Sequence, residues 1–254
     1  MRVAAPAPVA AAVVGAALAC WLVALGRMGG MDMGPGTDLG SLPFFTGIWT
    51  TMMAAMMLPS ALPMILLFQR VGAERRTRGR AAPSTGVFVS AYLFLWVAVG
   101  AVAFGVDRAL EAASPGFLAW DAQGPLVAGL AVAAAGLYEL TPLKRTCLDH
   151  CRGPLHFVLG GWRPGARGAI RMGLEHGVFC AGCCWGLMLI LFAVGIMSLT
   201  WMVAVAACVF VQKVLPFGGR TRAPLALALV ALGAWIAIAP GSVPALTPPG
   251  APMM

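Results

Sequence analysis

Apolar runs of about 20 residues recur along the chain, separated by short polar segments. A bilayer demands this spacing, because a helix rises ~1.5 Å per residue across a hydrocarbon core about 30 Å thick. The runs that fit are Val9–Gly26, Gly47–Phe68, Thr85–Val106, Gly124–Leu140, His176–Met197, Leu199–Phe217 and Pro224–Pro240. Little more than Ser198 separates the fifth from the sixth, so six spans stay open beside seven. The pattern predicts an all-α polytopic transmembrane bundle, a single domain over residues 1–240. A Pro-rich, uncharged tail, 241–254, follows it and is expected to be disordered. No internal repeat or heptad pattern stands out.

The first run contains "AALACW" around Cys20, which has the look of a lipoprotein cleavage site. Its apolar character continues through Trp21, Leu22, Val23 and Leu25, and only Arg2 precedes it, so it is read as an uncleaved first helix.

Basic residues collect on cytoplasmic loops, and here they fix an orientation. With the N-terminus inside and the C-terminus external, every Lys and Arg except Arg27 and Arg108 falls on the cytoplasmic side. The expected location is the bacterial inner (plasma) membrane, with membrane lipids as the first partners.

The long cytoplasmic loop, 141–175, carries the clearest local signals. Thr141 suits an N-cap and Pro142 the first helical position, while Gly153–Pro154 ends helices, so a short helix is expected over Pro142–Arg152. The following "LHFVLGGWRPGARGAIRMGLEHG" mixes aromatics with Arg and reads as an interfacial segment leading back to the bilayer. Outside, "RMGGMDMGPGTDLGSLPFF" is rich in Gly and Pro.

Composition supports the membrane reading: of 254 residues 60% are hydrophobic and 10% charged, and the mean hydropathy is +0.88, beyond soluble domains. The net charge of +8 is accounted for by loops facing an anionic leaflet. No RNA-binding motif accompanies it, so nucleic acid is not an expected partner. With neither a Walker motif nor an aspartyl-phosphate signature, nucleotide-driven transport is excluded for this chain.

The candidate chemistry lies in the cysteines. "CAGCCW" places Cys180, Cys183 and Cys184 on an arc of roughly 100° of one helix, with His176 one turn below Cys180. "CLDHC" places Cys147, His150 and Cys151 on a second such arc. A single pair at i,i+4 is ordinary packing, since free cysteine is among the most buried residue types. Two clusters, each with a histidine on the same face, point instead to a metal or redox role. Cys20 and Cys208 are isolated and read as packing residues.

Softness of the donors selects the ion: thiolate and thioether favour Cu(I), and thiolate with imidazole also suits Zn(II) as second choice. The second span adds thioethers in "WTTMMAAMMLPSALP", with Met52 over Met56 and Met53 over Met57. Pro59 and Pro63 follow, so a kinked or locally unwound helix is expected there. Met31, Asp32 and Met33 in the first external loop form a weaker candidate set, as a linker would serve equally. Glu139 and Lys213 lie near the inner ends of their runs, where snorkelling explains them.

On these residues the chain resembles a bacterial family of predicted metal-binding integral membrane proteins, a domain of unknown function. The matching stretches are "MMAAMMLPSALP", "YELTPLKRTCLDHCRGP", "GLEHGVFCAGCCWGLM" and "WMVAVAACVFVQKVLPFG". The resemblance implies a metal-binding membrane protein and supplies no reaction. It also leads one to expect an acidic residue where Gln212 stands.

Three functions follow as expectations. The first is a metal-handling membrane protein for Cu(I), acting in transfer, homeostasis or metallocentre assembly, with a metallochaperone or membrane complex as partner. No catalytic residue is assigned to it. The second is a membrane thiol–disulfide oxidoreductase using Cys147/Cys151 and Cys183/Cys184, beside basic residues that could activate a thiol. The third is a structural or assembly subunit with a fixed Zn(II).

Overall fold

Uninterrupted apolar runs become long helices. The computed structural model describes residues 7–28, 39–79, 82–113, 123–194, 198–243 and 246. In chain order the helices are α1 (Ala7–Met28), α2 (Leu42–Thr77), α3 (Thr85–Ala113), α4 (Gly124–Glu139), α5 (Pro142–Arg152), α6 (Pro154–Gly160), α7 (Gly165–Val194), α8 (Leu199–Val214) and α9 (Arg222–Ile238). Short 3₁₀ turns lie at Gly218–Thr221 and Pro240–Ser242. The described residues are therefore all-helical.

Among them, five helices are long and apolar enough to cross a membrane, or up to six if α4 and α5, bent by 64° at their junction, form one broken span. The sixth apolar run yields α8, which has only 16 residues. It is too short for the ~20 residues of a full crossing.

Two helices form the centre. The most apolar windows of α2 and α7 are 67% and 56% buried inside the bundle, against 17% for α1 and 28% for α3. The outer helices therefore keep apolar side chains such as Leu22, Val102 and Ile238 exposed, as a surface facing lipid would. Small residues set the outer packing. A Cβ on Gly233 would lie 2.7 Å from the Ala133 backbone nitrogen, and one on Gly129 2.8 Å from the Ala237 Cβ, so glycine is what lets α4 and α9 touch.

Besides α8, the structure differs from the sequence reading at the prolines of α2 and at the start of α7. The α-helical backbone of α2 runs unbroken through Pro59 and Pro63, so no unwinding occurs. Each proline removes one backbone donor, but this helix is packed on several sides, and the Ser60 hydroxyl donates to the Met57 carbonyl at 2.9 Å. The segment expected at the interface forms α6 and the first turns of α7, which starts at Gly165 (φ 74°) and not at His176. Glu175 ties these turns together, accepting from Arg163 and Arg171 at 3.0 Å each.

Of the tail, the described residues 241–243 and 246 include buried Val243 and Leu246. Its remaining residues lie outside the described residues, as do Met31, Asp32 and Met33.

Candidate metal centre

The site begins with a cap. The Thr141 hydroxyl accepts from the Lys144 backbone N–H at 3.2 Å, starting α5 where the sequence places it. This short helix lies against α7, with Lys144, Cys147 and Leu148 buried and Arg145 and Asp149 exposed. The opposite end of α5 is held by Arg152, whose guanidinium donates to the Gln212 carbonyl and, at 2.9 Å, to the Pro216 carbonyl.

So held, α5 presents Cys151 to α7. The Cys151 and Cys183 sulfurs are 3.7 Å apart, and Cys183 and Cys184 are 3.4 Å apart. Cys180, Cys183 and Cys184 are all buried, and the Cys183 thiol donates to the Cys180 carbonyl at 3.1 Å. All described cysteines are free thiols. Metal–sulfur bonds of ~2.3 Å place thiolates about 3.8 Å apart on a tetrahedral shell, close to the Cys151–Cys183 separation. Among the described residues no group of three or more His, Cys, Asp or Glu side chains is placed to hold a metal ion. The fit is thus one of donor chemistry and pairwise spacing alone.

Cys180 has two further neighbours. Lys213, near the end of α8, places its ammonium 2.8 Å from Cys180 Sγ, and the Tyr92 hydroxyl of α3 lies 3.0 Å from the same sulfur. Sulfur binds metal as thiolate, and a buried cation at this distance supplies the opposite charge. The snorkelling expected for Lys213 does not occur, because the residue is buried with a partner in reach.

Glu139 is likewise buried and not snorkelling. Its Oε1 accepts from Lys144 Nζ at 2.7 Å and its Oε2 from Gln212 Nε2 at 2.8 Å. Arg222 closes the backbone around it, donating to the carbonyls of Glu139 at 2.8 Å and Thr141 at 3.0 Å. Gln212, standing where an acid was expected, therefore serves Glu139 as an amide donor.

The other candidates are placed less centrally. Cys147 is buried against Gly182, where a Cβ would stand 2.7 Å from its sulfur. His150 stacks on Phe179, with ring centroids 4.0 Å apart, and its Nδ1 lies 3.0 Å from the Thr146 carbonyl. His176 sits among the rings of Tyr92, Phe157 and Phe88, and its buried Nε2 has no hydrogen-bond partner. Met52, Met53, Met56 and Met57 are all buried in α2; Met52 also lines a pocket of about 290 Å³ between α1 and α2.

Sequence reasoning missed Lys213, Tyr92 and the Glu139–Lys144 pair. The signal that could have found the charged ones was their cost: an ionisable side chain in an apolar run needs a named partner.

The family model described as PpoB2, copper chaperone, matches residues 46–236. The chain belongs to this family. No curated protein and no solved structure matches it. The PpoB2 match takes in all the clustered cysteines, the four methionines of α2, and both Glu139 and Lys213. Soft donors are what a copper-related family calls for.

Proposed function

We propose that the chain is a polytopic inner-membrane copper chaperone. Cu(I) is its cargo, held by thiolates drawn from Cys151, Cys180, Cys183 and Cys184. The observation that carries this reading is the meeting of Cys151 from α5 with Cys183 from α7 at 3.7 Å, in a chain of the PpoB2 family. The bundle is one transmembrane domain over 1–240, N-terminus inside, with 141–175 as its cytoplasmic loop. Cys147, His150 and His176 flank the site, and Met52, Met53, Met56 and Met57 form a thioether path from the outer side. A metallochaperone or membrane complex receives the ion.

The copper-related family and the soft thiol donors that meet favour Cu(I) over a fixed Zn(II).

The test is to purify the protein anaerobically under reduction, load it with Cu(I) or Zn(II), and measure bound metal by mass spectrometry. Stoichiometric copper in the wild type, lost in Cys180→Ser/Cys183→Ser/Cys184→Ser, supports the reading. Neither metal in either protein would overturn it and leave Cys151/Cys183 to thiol–disulfide exchange.

A further inference from the structure

Two of the groups that other helices bring to the α7 thiols, Cys151 and Lys213, are tied to one carboxylate. Cys151 is on α5 and Lys213 on α8. Glu139, at the end of α4, uses Oε1 to hold Lys144 of α5 and Oε2 to hold Gln212 of α8, at 2.7 and 2.8 Å. Lys144 lies seven positions before Cys151, two turns along the same helix, and Gln212 is the direct neighbour of Lys213. Side chains of Glu139 and Lys144 are each 1% exposed. A buried ion pair is weak evidence for stability, because desolvation consumes most of the attraction, and its best-attested use is to fix one arrangement among several.

We infer that Glu139 is the positioning residue of the metal centre, setting Cys151 and Lys213 against Cys183 and Cys180 without touching the metal. This rests on the copper reading for its substrate, but the geometry it asserts is independent of copper. The α4–α5 junction is where such control is needed. The chain turns by 64° there, so a small change of angle at Thr141 is carried along α5 to Cys151. Arg152 fastens α5 to α8, and Glu139 fastens that pair to α4. With the carboxylate gone, α5 and α8 remain joined to each other but lose their common anchor.

Two variants separate positioning from folding. Glu139→Gln keeps the shape and removes the charge, while Glu139→Leu/Lys144→Met removes both charges and leaves neither ion unpaired. Two readouts are made on each. One is Cu(I) affinity by competition with a chromophoric Cu(I) chelator. The other needs no metal: in a background retaining only Cys151 and Cys183, diamide takes two electrons and two protons from the thiols, forming a disulfide and the hydrazine. The rate is read by mass-tagging the remaining thiols.

The inference expects both variants to bind Cu(I) at least tenfold more weakly, and the Cys151–Cys183 bridge to form at least fivefold more slowly, with wild-type helical content. A Glu139→Leu/Lys144→Met protein that is folded and cross-links at the wild-type rate overturns it. If the wild type binds no copper, the proposed function fails, and the cross-linking rate still decides the role of Glu139. If the double variant does not fold, Glu139→Gln decides by the same rate.

Discussion

Lys213 Nζ and Cys180 Sγ lie 2.8 Å apart inside the bundle, joining the end of α8 to the middle of α7. A buried ammonium so close to sulfur is a charge-assisted contact, and removing one partner of such a pair leaves the other charge uncompensated. Lys213→Met is expected to lower Cu(I) affinity by tenfold or more, about 1.4 kcal/mol. Lys213→Arg keeps the charge in a bulkier form and should retain more of the affinity. Chelator competition on both variants checks the order; equal affinity for wild type and Lys213→Met would remove Lys213 from the site.

The sulfurs should not be equivalent. Cys183 stands between Cys151 and Cys184, at 3.7 and 3.4 Å, whereas Cys147 is packed against Gly182. Cys183→Ser is expected to cost at least a hundredfold in Cu(I) affinity, and Cys147→Ser less than threefold. Titration of the two single variants side by side reads the difference.

The contact between α4 and α9 admits no added methyl at Gly129 or Gly233. Overpacking of this kind costs about 1–3 kcal/mol, and close backbone approach is the main attraction between membrane helices. Gly233→Ala should lower the thermal unfolding midpoint in detergent, measured by circular dichroism, while leaving metal stoichiometry at the wild-type value.

Between α2 and α3 the Trp49 indole N–H donates to the Trp96 carbonyl at 2.9 Å, with both residues buried. Trp49→Phe removes that bond and part of the ring, and is expected to destabilise by about 1–3 kcal/mol. The same unfolding measurement tests it, again without loss of bound metal.

Much of this architecture was legible because its causes are local. Thr141 and Pro142 start α5 through backbone capping, and Gly153–Pro154 ends it, so neighbouring residues sufficed to bound the helix. The same holds for the shared face of Cys180, Cys183 and Cys184. What could not be read was decided between helices. Lys213 and Glu139 looked like snorkelling residues because their partners, Cys180 and Lys144, lie on other elements. The length of α8 was misjudged because Leu215–Phe217 are as apolar as the helix they follow, yet helix α8 ends at Val214. The unbroken course of α2 through its prolines depends on neighbours that sequence alone does not name.

The central claim is that one Cu(I) centre draws sulfur from both α5 and α7. X-ray absorption at the copper edge of the Cu(I)-loaded protein, compared between wild type and Cys151→Ser, addresses it most directly. The account expects a sulfur-dominated shell at about 2.2–2.3 Å in the wild type, with fewer sulfurs in Cys151→Ser. An unchanged sulfur shell in Cys151→Ser, or a wild-type shell made only of nitrogen and oxygen, would contradict it.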